Sequence, residues 1–527
     1  MKCLSYFILL AGSLLWTLPA GSAVLIVPED YDTILDAFNA AEPHDTILVK
    51  PGIYSGDGNC DIWLFDKSVN ILADGLPGQI VIDGGNSRGG FSFRNIPDNQ
   101  MVVSGFTFKD CADALIGTIN FFENSPVIFR NCMIINGRAT SVDPPGEGGG
   151  IRIWKSSPVI EDCVIQSCSA MQGGGFNILD TSYPVVTRCL ISDCTGAGIQ
   201  ISTHGAPVFE DCQIQFCTAT ELSFTAGVGC YWDSDAIFRR CLIANNSNPI
   251  SSGGGIRVED SAPVFTNCFI VENHALDFGG GLLCRDSAFP SFQYCTFSDN
   301  QADKRGDGVA TILNSNPIFE SSILWHPNGE EFYSENAGTV TVTYSDISIT
   351  YPGTGNFSSD PLFAGNGDYH LTSTSPCIDK GFGMDIDHDY DSEHRCNTDN
   401  FDVGADEYYE PYDIYVELEM PKHTFVPGDE CWLDAHCANS GPDRGNLLLY
   451  VALDVYGIFY FWPEWNAFGY EITSLTNGIT DISILPVFTW PENTGEANGI
   501  FFYAILTNPF TTELFGTLSS WEMNWHP

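Results

Sequence analysis

The sequence predicts an all-β protein: a right-handed parallel β-helix of about ten coils followed by a small β-sandwich. Three observations carry that prediction. A short phrase ending in Cys recurs through the middle of the chain, a Gly-plus-apolar phrase recurs in step with it, and no apolar stripe of helical period fits between them.

The first phrase reads Pro158-Val-Ile-Glu-Asp-Cys163, Pro184-Val-Val-Thr-Arg-Cys189, Pro207-Val-Phe-Glu-Asp-Cys212 and Pro263-Val-Phe-Thr-Asn-Cys268. Looser copies end at Cys132, Cys241, Cys295 and Ser322, so each period holds 23 to 31 residues. The second phrase is read at Gly150-Ile151, Gly175-Phe176, Gly198-Ile199, Gly229-Cys230, Gly255-Ile256, Gly281-Leu282 and Gly308-Val309. Short alternating strands bounded by Gly, Asn, Asp and Pro turns fill each period. Stacking one period on the next lines up equivalent residues. Cys163, Cys189, Cys212, Cys241, Cys268 and Cys295 then form an inward ladder, and Cys168, Cys194 and Cys217 begin a second column that continues as Asn246, Asn273 and Asn300. Side chains one strand spacing apart with parallel Cβ vectors do not suit a disulfide, so the ladder reads as buried free thiols. Amides in such a column can bond up and down the stack.

Residues 1–23 have the pattern of a secretory leader: Lys2, an apolar run from Leu4 to Leu18, and the small residues Gly21-Ser22-Ala23. The expected setting is extracellular or the cell surface. With 67 acidic and 21 basic residues, the formal charge of −46 disfavours nucleic acid and anionic membrane as partners and favours cations.

At the ends of the repeat region the residues resemble the pectate-lyase-like superfamily of secreted right-handed β-helix proteins. The opening is Val27-Pro28, Tyr31 to Ala41, Asp45 to Val49 and Pro51-Gly-Ile-Tyr54. The closing is Asp360-Pro-Leu-Phe363, Asp368-Tyr-His-Leu371, Ser375-Pro-Cys-Ile-Asp379 and Asp402-Val-Gly-Ala-Asp-Glu407. A helix N-capped by Asp32 or Thr33, with Ile34, Leu35 and Phe38 on one face, would plug the open end of the tube. The resemblance implies a helix over 24–357 and a closing segment over 358–409. It leaves activity open, because that superfamily holds lyases, hydrolases, adhesins and binders. From Tyr412 strands alternate differently, and 412–527 reads as a sandwich similar to immunoglobulin-like modules.

Alternation sends Arg152, Asn177, Gln200, Tyr231 and Arg257 outward in one column, with Asp233 and Glu259 beside it. Such a ridge suits an extended extracellular glycan, and equally a plain polar exterior. A polysaccharide lyase or glycoside hydrolase is the alternative, and a structural or adhesive surface protein a third. For a hydrolase, Asn397-Thr-Asp399 and Thr203-His204-Gly205 are partial motifs, and no Asp-Asp pair exists. For a Ca²⁺-dependent lyase, Asp233, Asp235, Glu259 and Arg257 form the one candidate grouping. Asp385, Asp387, Asp389 and Asp391, followed by Glu393, alternate as oxygen ligands of a structural Ca²⁺ do, although Tyr390 and Cys396 depart from an EF-hand. A solvated loop is the other reading. Phe459-Tyr-Phe-Trp462 and Trp465 read as sandwich packing before a sugar platform. Outside the repeats, Cys377 with Cys396 and Cys431 with Cys437 are the expected bridges.

Overall fold

The computed structural model describes residues 22–526, except 76–77, 222, 384–387, 394, 396–400, 410–413, 457, 464, 466–468, 492–495 and 509–513. Residues 1–21 of the leader and Asn397-Thr-Asp399 therefore fall outside the described residues.

Each period folds into one coil with three short strands, and successive coils pair in parallel into three long sheets. A 13-stranded sheet runs from Val24–Val27 to Thr341–Thr343, a 12-stranded sheet from Gly52–Ser55 to Asp346–Ile347, and an 11-stranded sheet from Ile62–Phe65 to Phe332–Glu335. The coils close because residues in the left-handed region turn each corner. Asp162, Arg188 and Asp211, each just before a ladder cysteine, have φ of 54°, 51° and 58°. Short polar side chains and Gly tolerate that region best, which explains the Asn and Asp punctuation of the repeat.

Inside the tube, identical positions stack. Phe209, Phe238, Phe265, Phe292 and Phe319 are register partners, with centroids 4.7–5.1 Å apart and planes within 12° of parallel. The single helix of the described residues, Ile34–Ala40, is capped by Thr33, whose side chain accepts from Asp36 N–H. It buries Ile34, Ala37 and Phe38 against the first coil, covering an end that would otherwise expose apolar surface.

The second column behaves as a ladder. Asn246 Nδ2 donates to Asn273 Oδ1 and Asn273 Nδ2 to Asn300 Oδ1, both at 3.0 Å, and each Nδ2 also reaches a carbonyl of the neighbouring coil. The column ends on His326, 3.1 Å from Asn300 Nδ2, whose other nitrogen lies 2.8 Å from Glu331 in a fully buried pair.

Seventeen cysteines are among the described residues; all are buried and none is bridged. The ladder thiols donate to backbone carbonyls, as Cys163 does to Glu161 O at 3.1 Å. Cys377 donates to Asp346, and Cys396 lies outside the described residues. The expected Cys431–Cys437 bridge is ruled out by geometry. Both sit on the strand Glu430–Asn439, six residues apart, so their Cα atoms are roughly 20 Å apart where a disulfide needs about 6 Å. Burial pushes the Cys132 thiol up to about 12, which makes it a poor nucleophile while folded. Thiol reagents should therefore react slowly with native protein and rapidly with nearly every cysteine after denaturation. Recovering mostly disulfide would contradict the ladder.

Beyond the tube, two antiparallel sheets share one apolar core. Three strands, Ile414–Glu419, Glu430–Asn439 and Gly478–Thr489, face a sheet built on Arg444–Val455, Ala497–Thr507 and Leu514–Trp525. Tyr460, Trp462 and Trp465 pack against that core, as expected of sandwich packing, and Phe459 stays exposed.

Candidate functional site

The outer face of the 11-stranded sheet carries the residues that alternation sends outward. Register pairs Asn120 with Arg152, Arg152 with Asn177, Asn177 with Gln200, and then Gln200 with Gly229 and Gly229 with Arg257. Tyr231 is not in this column. The strand there is Val228–Tyr231, so Val228 rather than Cys230 matches Ile199, and Tyr231 pairs with Ser202 and Glu259. The Tyr231 ring folds back over Gly229, where a Cβ would stand 2.5 Å from it, and its hydroxyl donates to Ser223 O. It is 2% exposed.

The column is not the exposed ridge that alternation suggests. Asn177, Gln200 and Arg257 are buried and Arg152 is half-buried. The cause is the turn before each strand, which curls back over it through a left-handed glycine. At Gly148, Gly173 and Gly253, with φ of 67°, 63° and 79°, a Cβ would come within 2.9 Å of the Cβ of Arg152, Asn177 and Arg257 respectively. Glycine is required there twice, by φ and by space.

The charged members are satisfied internally. Arg152 pairs with Glu147 at 2.8 Å, while Arg257 bonds Glu259 and donates to Phe224 O. Arg257 is thus no free base. Asp235 accepts from Ala262 N–H, and Asp233 points to solvent 3.9 Å from an equally exposed His204. The candidate lyase grouping therefore does not converge.

What does converge lies at the N-terminal end of the same sheet, in the three coils before Arg152. There the same column reads Trp63, Ser92, Asn120, and it forms the floor of an open cleft of about 430 Å³. Trp63 is 43% exposed and stacks on Phe122, centroids 5.4 Å apart and planes 15° from parallel. Phe122 meets Trp154 edge-on at 6.4 Å and carries the Arg152 guanidinium 5.2 Å from its centroid. Asn120 donates to Gly117 O and Ser92 Oγ, but its Oδ1, buried in the floor, has no partner. Asp61 and Asp113 stand on the walls. Asp61 Oδ1 accepts from Gly89 N–H, and Asp113 Oδ1 accepts from Leu115 and Ile116 N–H, which leaves the second oxygen of Asp113 for a ligand. The sequence held a signal for this site. Ile62-Trp-Leu-Phe65, Phe91-Ser-Phe-Arg94 and Ile119-Asn-Phe-Phe122 are earlier copies of the second phrase, lying before the Cys phrase begins.

The acidic run of the closing segment is also partly placed. Asp385 and Asp387 lie outside the described residues. Asp389 is fully buried and accepts from Glu393 N–H at 2.7 Å and Glu407 N–H at 3.0 Å, so both oxygens staple the loop. Asp391 turns away to His370, with Nε2 2.7 Å from its Oδ2. Asp389 and Asp391 thus direct these oxygens to different partners.

Fold and site together define a β-solenoid with an aromatic-edged polar cleft on one sheet. The model of the right-handed beta helix region matches residues 98–250 and 221–368, just over half the chain, and the protein belongs to that family. No curated protein sequence matches it. Among solved structures, the pectate lyase Pel9A shares 12% identity over 74% of this chain and 98% of its own, with a TM-score of 0.37. The A-module of a mannuronan C-5 epimerase from Azotobacter vinelandii shares 14% over 62% and 93%, with a TM-score of 0.35. A PL6-family polysaccharide lyase from Pseudopedobacter saltans shares 14% over 62% and 90%, with a TM-score of 0.34. No helix among the described residues is long and apolar enough to cross a membrane.

Proposed function

We propose that the protein is an exported, non-catalytic binder of a neutral polysaccharide, held in the cleft between Trp63 and Asn120. The observation that carries this reading is the pairing of an exposed indole with an unpartnered buried acceptor on one cleft floor. A sugar ring offers both complements: an axial C–H face for the indole and a hydroxyl donor for Asn120 Oδ1. The volume lies within the usual range of about 300–1,000 Å³ for small-ligand sites.

The walls set the sugar class. Asp61 is paired with Arg88 at 3.5 Å, while Asp113, with no cation beside it among the described residues, repels a uronate carboxylate and accepts from hydroxyls, so the ligand is uncharged rather than a polyuronate. They also argue for binding over cleavage. Each already spends an oxygen on backbone N–H groups, which suits a fixed acceptor better than a proton shuttle.

Full-length protein should be retained on neutral glycans of a polysaccharide panel and not on pectate or alginate. Trp63→Ala should weaken retention roughly 10- to 100-fold, the 1–3 kcal/mol of a buried aromatic anchor. Release of reducing or unsaturated ends, or full retention by the variant, would overturn the reading.

A further inference from the structure

We infer that His370, Asp391 and Asp406 form a binding site for a Zn²⁺-class divalent cation in the closing segment, oriented by Asp368.

The strand Asp368–Leu371 meets Asp391 and Asp406 above the outer face of the 12-stranded sheet. One ligand atom from each of the three lies within 4.8 Å of the others, a span that closes on a small cation with little movement. Asp406 gives one oxygen to Leu371 N–H at 2.6 Å and keeps the other.

The imidazole supplies the independent argument. Its Nδ1 lies 2.5 Å from Asp368 Oδ1, so that nitrogen donates and Nε2 is the nitrogen turned to the other two ligands. Nε2 lies 2.7 Å from Asp391 Oδ2, close enough for one small cation to be shared by the two. A divalent cation held there takes the place of a proton on Nε2 and offsets the three carboxylates around one ring. A carboxylate that holds the far nitrogen of a metal-binding histidine is the usual way such a ring is oriented. Arg444, the nearest guanidinium, is engaged with Glu393 at 3.1 Å. The ligand set also selects the ion. Imidazole suits Zn²⁺, whereas Ca²⁺ takes six to eight oxygens. An open cavity of about 750 Å³, lined by His370 and Asp391, reaches the site and gives the ion a path and a position for water.

Chelator-stripped full-length protein should bind one Zn²⁺ by titration calorimetry, melt at a higher temperature with it, and not respond to Ca²⁺. Co²⁺ should give the visible absorption of a nitrogen- and oxygen-ligated ion. Asp391→Asn should abolish both signals, and Asp368→Asn should weaken affinity roughly 10- to 100-fold, with circular dichroism confirming that each variant folds. If Asp391→Asn fails to fold, Asp406→Asn replaces it. Absence of Zn²⁺ binding by folded wild-type protein, or undiminished binding by the folded Asp variant, overturns the inference. In that case Nε2 simply carries a proton shared with Asp391.

Discussion

Replacing Asn273 by Ala should cost about 3–5 kcal/mol, because the change strands partners that have no access to water. Asn273 is 1% exposed. Its Oδ1 accepts from both the backbone N–H and the Nδ2 of Asn246, and its Nδ2 serves Ile243 O and Asn300 Oδ1. Deleting the side chain leaves the Asn246 N–H and one Asn246 amide proton unpaired, at about 1–3 kcal/mol each before relaxation. The losses are also coupled, since the ladder runs on to His326 and Glu331. Asn273→Cys should cost less. A thiol occupies the same column at Cys217, where it donates to Gln215 O, and thiols elsewhere in the tube accept from the next coil, as Cys268 does from Cys241 N–H. Urea unfolding of the two variants beside wild type checks both the size and the order of the effects.

The contrast between this ladder and the outer column shows what the sequence makes legible. Repeats expose whatever is enforced once per coil: the inward Cys and Asn columns, the turn residues, and the need for a plug at one end. Each follows from a spacing and a side-chain type, and each is found. The outer column fails for two physical reasons. Tyr231 was misassigned because Gly229 mimics the repeated Gly, although it occupies the column itself. Burial was missed because it depends on how far a turn such as Gly253 folds back over Arg257, a tertiary contact with no periodic signature. The cleft at Trp63 carries little repeat signature because its first two coils lack the Cys phrase. His370 and Asp406 were not linked to Asp391 because they meet across loops rather than along a repeat.

Asp346→Asn should stabilise the protein above pH 6 by up to about 3 kcal/mol and make no difference near pH 4. Asp346 sits on the last strand of the 12-stranded sheet, fully buried beneath the closing segment. It accepts from Ser359 N–H at 3.0 Å and from the Cys377 thiol at 3.3 Å. Burial pushes its carboxyl up from 3.8 to about 6, and these hydrogen bonds offset only part of that rise. The folded state therefore holds a proton that the unfolded chain releases between those values. The stability this group contributes is complete below pH 4 and is lost as the pH rises through 6, after which it stays lost. A rise of about two pH units corresponds to about 3 kcal/mol. The neutral amide keeps an oxygen for the Ser359 N–H and never ionises, so it removes the loss. Melting wild type and Asp346→Asn at pH 4, 5, 6 and 7.5 should give curves that coincide at the acidic end and separate as pH rises. A separation independent of pH would mean that the effect comes from packing and that the buried carboxylate titrates as it does in water.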